Sequence, residues 1–117
     1  MAEFTLREVL LATGGQLRMS GPAGTFAGVS TDTRTLQPGE LFVAIRGERF
    51  DGHAFLEQAK AKGAAGVLVE ESVPGTHRGE ARFGDWYVIE VTDTQYALGQ
   101  LAQHHRRRFR IPVVGIT

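Results

Sequence analysis

Three runs of apolar residues stand out along this chain, each short enough for one strand. They are Leu41–Ile45, Ala64–Val69 and Trp86–Val91. Apolar runs of this length are typical of strands buried on both faces of a sheet. Between the first two runs, Phe55, Leu56 and Ala59 recur at helical spacing and predict a helix of about three turns that ends at Gly63. Residues 41–69 are therefore predicted to form a strand–helix–strand unit with parallel strands.

A short helix is predicted near the start of the chain. Thr5 and Glu8 have the spacing of a capping box, in which each side chain bonds an exposed backbone N–H of the first turn. The helix then covers Leu6–Ala12 and ends at Gly14-Gly15, because glycine readily adopts the left-handed conformation that follows a helix.

A longer helix is predicted after the third apolar run. Thr92 or Asp93 can cap its first turn. Residues spaced three or four apart form its inner face, namely Leu98, Leu101, Ala102 and His105. The alternation of strands and helices along the chain predicts a fold of the α/β class.

The remaining segments are shorter. Gln16–Met19 and Thr25–Ser30 flank the turn-like Ser20–Gly24, so we expect them to pair as a small hairpin. Residues 70–85 are polar and glycine-containing, which predicts a surface loop. Ile111–Thr117 is strand-like, and a buried strand normally continues into an element that covers it, so we expect the chain to be a fragment of a longer protein.

Composition narrows the class of protein. The 117 residues fit one small domain, and a hydrophobic content of 42% predicts a packed core. The absence of cysteine excludes disulfides and a thiolate nucleophile, and the cytoplasm is the expected location. No apolar run approaches the roughly 20 residues of a membrane span. The four histidines lack metal-ligand spacing, so no metal site is predicted.

Thirteen basic and thirteen acidic side chains cancel, so the overall charge points to neither nucleic acid nor a membrane as partner. Four of the basic residues nevertheless cluster near the end, at Arg106, Arg107, Arg108 and Arg110. The cluster could bind nucleic acid, but a lone basic turn is more typical of the end of a helix, where cations complement the helix dipole.

Two polar segments are candidate sites. Ser30–Arg34 carries three hydroxyls, a carboxylate and a guanidinium directly after a predicted strand, where α/β folds collect ligand-binding groups. Its arginine could bind phosphate oxygens and its hydroxyls could bind a base or ribose. The alternative is structural: Asp32 and the threonines would satisfy turn backbone, and Arg34 would pair with Asp32 or Glu40. The residues alone leave both open.

The second candidate segment is Gly47–Gly52. It offers a guanidinium, an aromatic ring and glycines that permit close backbone approach to a ligand. Alternatively it is an Asp-Gly turn before a helix, with Phe50 in the core. These two interpretations also remain open from the residues alone.

The order of these motifs resembles the N-terminal domain of the bacterial Mur ligases. The resemblance is carried by Val29–Phe55, which contains Ser-Thr-Asp-Thr-Arg, Pro-Gly-Glu-Leu-Phe-Val-Ala and Gly-Glu-Arg-Phe-Asp-Gly-His, and by Ala61–Val69. It implies a small mixed sheet with flanking helices. Gly47–His53 is most similar to the ligases that add D-Ala-D-Ala to UDP-MurNAc-tripeptide in peptidoglycan synthesis. Ligases that add the third peptide residue are the alternative, as is a noncatalytic nucleotide-binding or scaffold module.

The resemblance also implies a division of labour. Enzymes of the family have an N-terminal domain that holds the UDP end of the substrate, a central ATPase domain, and a C-terminal domain that brings the incoming amino acid or dipeptide. Residues 1–110 would be the first of these, and residues 111–117 would be the first strand of the second. ATP and Mg²⁺ would be bound by the full-length enzyme beyond this segment, and the segment alone would be inactive.

By similarity to the family, six residues would line the UDP pocket. They are Thr31, Thr33, Arg34, Glu48, Arg49 and Phe50. We expect Thr33 to bond the uracil or ribose, Phe50 to pack on the base or support its loop, and Arg34 or Arg49 to face the diphosphate. No catalytic residue and no metal ligand is expected in the segment.

Overall fold

A computed structural model describes residues 4–45, 52–70 and 86–108 of the chain. Its strands are β1 Phe4–Thr5, β2 Gln16–Met19, β3 Thr25–Phe26, β4 Val29–Ser30, β5 Leu41–Val43, β6 Gly66–Glu70 and β7 Tyr87–Val91. Its helices are α1 Leu6–Thr13, α2 Leu56–Ala61, which a 3₁₀ turn at Gly52–Phe55 precedes, and α3 Thr94–Arg108. None of the described helices is long and apolar enough to span a membrane.

The three apolar runs form the centre of a five-stranded mixed sheet. The strand order is β2-β7-β6-β5-β4. Strands β4 to β7 run parallel, and β2 runs antiparallel to β7 at one edge. The predicted strand–helix–strand unit is therefore confirmed as β5, α2 and β6, with α2 shorter than predicted. The α/β class and the mixed sheet are confirmed as well.

The predicted hairpin is wrong. Strand β2 pairs with β7, while β3 pairs with β1 in a separate two-stranded sheet and β4 joins β5. Between β2 and β3 the chain crosses the start of β7, where the Tyr87 hydroxyl accepts a hydrogen bond from the Gly24 backbone N–H at 2.7 Å. A buried five-residue strand offers β2 more pairing and more apolar contact than the two-residue β3 can.

The sheet has a core on each face. One face packs against α1 and α3 through residues such as Val9, Leu68, Ile89 and Leu101. The other face packs against α2 through residues such as Phe42, Ala59, Val67 and Trp86. Because both faces are covered, strands β5 to β7 are almost wholly buried, as the continuous apolar runs predict.

The predicted ends of α1 and the predicted start of α3 are confirmed. Thr5 and Glu8 form both bonds of the capping box, at 2.9 and 3.0 Å. Gly14 ends α1 with a φ of 70°, in the left-handed region. Asp93 caps α3, because its Oδ1 accepts hydrogen bonds from the backbone N–H groups of Gln95 and Tyr96. Helix α3 includes Arg106, Arg107 and Arg108, so these three residues of the basic run are helical.

Several expectations fall on residues outside the described ranges. They include most of the loop predicted at residues 70–85, the strand predicted at Ile111–Thr117, and the Gly47–Asp51 part of the second candidate segment. They stay predictions.

Candidate functional site

A cleft opens where the chain leaves β4. It has a volume of about 590 Å³, which is within the size range of small-molecule sites. Its lining residues are Thr31, Asp32, Thr33, Arg34, Phe55 and Gln58. One wall is thus the loop after β4, and the other is the 3₁₀ turn together with α2, which follow β5. The cleft lies at the carboxyl ends of the parallel strands β4 and β5, which is where open α/β sheets bind their ligands.

The loop after β4 is held by its own hydrogen bonds. The backbone N–H of Asp32 donates to Ser30 Oγ at 3.2 Å, and that hydroxyl donates to the Asp32 carbonyl at 3.0 Å. The same carbonyl accepts from the Thr35 backbone N–H at 3.2 Å. Short polar side chains next to a turn commonly form such bonds. The structural interpretation of this segment is therefore correct for Asp32, whereas Ser30 makes the turn bonds that the threonines were expected to make.

Arg34 pairs with Asp32 on the same wall of the cleft. Its Nη2 donates to Asp32 Oδ2 at 2.8 Å, and its Nε lies 3.1 Å from Oδ1. The Arg34 backbone N–H also donates to Oδ1 at 2.8 Å. These bonds to the Arg34 side chain and backbone lower the pKa of Asp32 from 3.8 to about 2, and they raise the pKa of Arg34. Of the two partners considered for Arg34, the structure selects Asp32.

Thr33 points to the opposite wall. Its side chain is only 8% exposed, and its hydroxyl donates to Gln58 Oε1 at 3.2 Å. Thr31, in contrast, is exposed, and in the part of the chain that the structure describes its hydroxyl has no hydrogen-bond partner. The two threonines therefore differ: one is held by α2 and the other faces the open side of the cleft.

The structure brings three of the six predicted site residues together, namely Thr31, Thr33 and Arg34. The other three, Glu48, Arg49 and Phe50, lie outside the described residues. The end of their segment is nevertheless fixed, because the Gly52 N–H donates to the Ile45 carbonyl at 2.8 Å. A Cβ at Gly52 would lie 2.9 Å from the Ile45 nitrogen, so the close approach requires glycine.

Sequence reasoning missed Phe55 and Gln58 as lining residues. They are three positions apart, which places them on one side of the 3₁₀ turn and α2. Phe55 served there only for the helical spacing that predicts α2, and its side chain packs against the core on the α2 face of the sheet. The available signal was a polar Gln58 on a helix whose apolar stripe begins at Phe55.

A second cavity, of about 390 Å³, lies beside the end of β7. Its polar wall includes Glu90, which is 6% exposed and forms an ion pair with Arg18 at 2.8 Å. In neither cavity, nor elsewhere among the described residues, do three or more His, Cys, Asp or Glu side chains form a group that could hold a metal ion.

Comparison with known proteins shows that this chain is similar in sequence to several ligases. The chain is 46% identical over 90 residues to the UDP-N-acetylmuramoyl-tripeptide–D-alanyl-D-alanine ligase of Bacillus subtilis, covering 77% of this chain and 18% of the relative. Its identity to the ligase of the same name from Escherichia coli is 39% over 117 residues, covering 100% of this chain and 24% of the relative. It is 54% identical over 94 residues to the UDP-N-acetylmuramyl-tripeptide synthetase of Deinococcus radiodurans, covering 77% of this chain and 18% of the relative.

The fold has relatives too. It is similar to a crystal structure of MurF from Acinetobacter baumannii, with a TM-score of 0.76 at 29% identity, over 92% of this chain and 22% of that one. The chain spans no more than about a quarter of the length of these relatives. Residues 25–106, well over half of the chain, match the family profile described as Mur ligase family, catalytic domain. The resemblance found in the motifs is confirmed, and the chain belongs to the Mur ligase family.

Proposed function

We propose that this chain is the substrate-holding N-terminal domain of a ligase that adds D-Ala-D-Ala to UDP-MurNAc-tripeptide in peptidoglycan synthesis. The observation that carries the proposal is the cleft after β4, which gathers hydroxyl, amide, guanidinium and aromatic groups in about 590 Å³. This mixture suits a nucleoside diphosphate, which presents a flat base, a ribose and two phosphates. The names of the relatives from Bacillus subtilis and Escherichia coli support the reaction.

In this proposal the UDP moiety is bound by Thr31, Thr33, Arg34, Glu48, Arg49 and Phe50. The exposed Thr31 hydroxyl is available to a ribose or base. Arg34 can serve the diphosphate without leaving Asp32, because a guanidinium has five N–H donors and the ion pair engages Nε and Nη2. Its Nη1 group is left to bind phosphate oxygens.

Residues 1–110 would form this domain and residues 111–117 would begin the next one. We place the reaction of the terminal carboxylate with ATP, Mg²⁺ and the incoming dipeptide in the remainder of a full-length cytoplasmic enzyme. The domain itself would contribute by anchorage: binding the remote nucleotide positions the reacting end of the substrate. We expect the 117-residue chain alone to lack ligase activity.

An amide-resolved NMR titration with UDP, using ATP as the comparison ligand, tests the proposal on this chain. We expect shifts at Thr31–Arg34, Gln58 and Glu48–Gly52 with UDP and not with ATP. Silence with UDP at millimolar concentration would contradict the proposed site.

Substitution of single arginines then tests the assignment within the site. Arg34→Ala and Arg49→Ala should each weaken UDP binding while the amide spectrum of the fold is preserved. Loss of one charged hydrogen-bonding group predicts a reduction of about tenfold. Arg7→Ala, on the exposed side of α1, is the matched control. Unchanged affinity would remove that arginine from the site.

One observation favours a second candidate within the family. The relative from Deinococcus radiodurans at 54% identity is named a tripeptide synthetase, and a relative from Gloeobacter violaceus at 44% identity is named a diaminopimelate ligase. The full-length enzyme, given ATP, separates the two. Consumption of UDP-MurNAc-tripeptide with D-Ala-D-Ala supports the first candidate, whereas extension of the UDP-MurNAc-dipeptide by one amino acid supports the second.

A further inference from the structure

An apolar groove lies between α3 and the edge of the five-stranded sheet. It has a volume of about 250 Å³. Its lining residues are Phe4, Val29, Leu98, Leu101, Ala102 and His105. Phe4 and Leu101 are buried members of the core on the α1 and α3 face, and Val29 packs against that core. The groove is therefore continuous with this core and lies beside β4, which is an edge strand.

The groove-lining residues of α3 form one stripe along the helix. They are three or four positions apart, so they share one side of α3. The same spacing leads from His105 to residues 108 and 109. Arg108 is the last described residue of α3, and the next residue in the sequence is Phe109. Continuation of the stripe thus places Phe109 one turn beyond His105.

We propose that the Phe109 side chain docks in this groove and anchors the segment that follows α3 to the domain. Side chains on a helix lean toward its N-terminus, so a ring at position 109 leans back toward His105 and Ala102. Phe109 is also the only apolar residue between Arg106 and Arg110. The charged neighbours stay in water, and the ring is the group in this run that burial stabilises.

The groove suits an aromatic ring in size and in lining. An apolar cavity of about 150 Å³ holds benzene, so a groove of about 250 Å³ has room for a phenylalanine ring. The ring centroids of Phe4 and His105 are 5.9 Å apart. A third ring can join this pair at the offset or edge-on angles that aromatic groups prefer.

Docking at this position would fix the point where the chain leaves the domain. This consequence rests on the proposed function, in which residues 111–117 begin the next domain. Only Arg110 then separates the anchored ring from that segment, so the next domain would be held close to the end of α3. The docking itself needs no nucleotide and can be measured on the 117-residue chain without ligand.

Nuclear Overhauser effects in the 117-residue chain test the docking directly. We expect effects from the Phe109 ring protons to the methyl groups of Val29 and Ala102, because these residues line the groove. Phe109→Leu assigns the ring signals, since they disappear in that variant. Absence of these effects overturns the inference. Effects found only between differently labelled chains overturn it as well, because a second copy would then supply the ring.

Substitutions measure how much the docked ring stabilises the domain. Phe109→Ala should lower the midpoint of thermal unfolding by about 5 °C or more, because it removes buried contacts and leaves the groove empty. Phe109→Leu keeps an apolar side chain and should retain about half of the stabilisation or more. Arg110→Ala, at the next position and outside the stripe, is the matched control and should shift the midpoint by less than about 2 °C. Equal shifts for Phe109→Ala and Arg110→Ala would contradict the docking.

The outcomes separate this inference from the proposed function. Missing Overhauser effects in a chain that binds UDP overturn the docking and leave UDP anchorage standing. Their presence in a chain that does not bind UDP supports the docking and overturns the proposed site. Because the effects are measured on the unmodified chain, they decide the question even where Phe109→Ala does not fold.

Discussion

Asp32 is tied to its neighbours more closely than the other polar residues of the cleft. Its carboxylate accepts hydrogen bonds from both the backbone and the guanidinium of Arg34, and its carbonyl accepts one from the Thr35 N–H. The bonds to the carboxylate require the ionised form. They therefore explain why the pKa of Asp32 is about 2 instead of 3.8.

The ion pair of Asp32 and Arg34 predicts that acid destabilises the loop after β4. A lowered pKa in the folded state means that the carboxylate stabilises the fold fully above its ordinary pKa of 3.8, and that this stabilisation is lost as the pH falls through about 2. In a ¹³C NMR titration of the carboxyl carbon, we expect a midpoint near 2 for Asp32.

The Arg34→Ala variant should move that midpoint upward, toward the ordinary value. Arg18→Ala, on β2, is the control and should leave the titration of Asp32 unchanged. A midpoint near 3.8 in the unmodified protein would contradict the ion pair.

Strand β2 illustrates how one edge strand is attached to the sheet. Its pairing register with β7 changes between Leu17 and Met19, so Arg18 occupies a bulge. From there its Nε reaches Glu90 on β7 at 2.8 Å. Glu90 is 6% exposed while Arg18 is 46% exposed, so the carboxylate is buried and its partner is partly hydrated.

Removal of Arg18 should cost more than loss of an ordinary surface charge. Arg18→Met leaves the buried carboxylate without this partner, and we expect the free energy of unfolding in urea to fall by about 1–2 kcal/mol, a value reduced for the partial exposure of the arginine. The double variant Arg18→Met/Glu90→Gln should recover part of the loss, because the remaining group is neutral.

Arg7→Met, on the exposed face of α1, is the control, and its effect should stay within about 0.5 kcal/mol. Equal effects of Arg18→Met and Arg7→Met would show that the ion pair does not hold β2 to the sheet.

For the molecule as a whole, the sheet separates two cores that share its buried strands. Val67 belongs to the core on the α2 face, and its neighbour Leu68 belongs to the core beneath α1 and α3. Successive side chains of one strand thus serve opposite cores. A substitution that weakens the packing of one core therefore also weakens strands that the other core needs. We expect the domain to unfold in a single transition.

A pair of leucines tests this view. Leu101 on α3 is 1% exposed, whereas Leu11 on α1 is 74% exposed. Leu101→Ala should lower the free energy of unfolding by about 2–5 kcal/mol through lost burial and the cavity left behind. Leu11→Ala should change it by less than about 0.5 kcal/mol. Urea unfolding followed by both tryptophan fluorescence and circular dichroism measures the two effects.

The fluorescence reports on Trp86, which lies in the core on the α2 face, while Leu101 lies in the other core. Coincident transitions for Leu101→Ala would support one cooperative unit. Transitions that separate would mean that the two cores unfold independently.

The sequence by itself determined the features that depend on a few neighbouring residues. The capping box at Thr5 and Glu8, the glycine that ends α1 and the Asp93 cap all follow from bonds within one turn. The buried strands follow from continuous apolar runs, because a strand covered on both faces must be apolar throughout. The strand–helix–strand unit follows from these runs together with the helical spacing of the apolar residues between them. The family was apparent for the same reason, since its motifs are contiguous.

Tertiary structure decided everything that depends on competition between distant partners. Strand β2 pairs with β7 and not with β3, its neighbour in sequence, because β7 is longer and buried. Gln58 lines the cleft because α2 packs beside the loop after β4. That packing joins segments distant in sequence, so a pattern of neighbouring residues does not predict it. Likewise Leu11 and Leu101 are the same residue type on two amphipathic helices, and only the packing of α1 against α3 and the sheet leaves one exposed and buries the other.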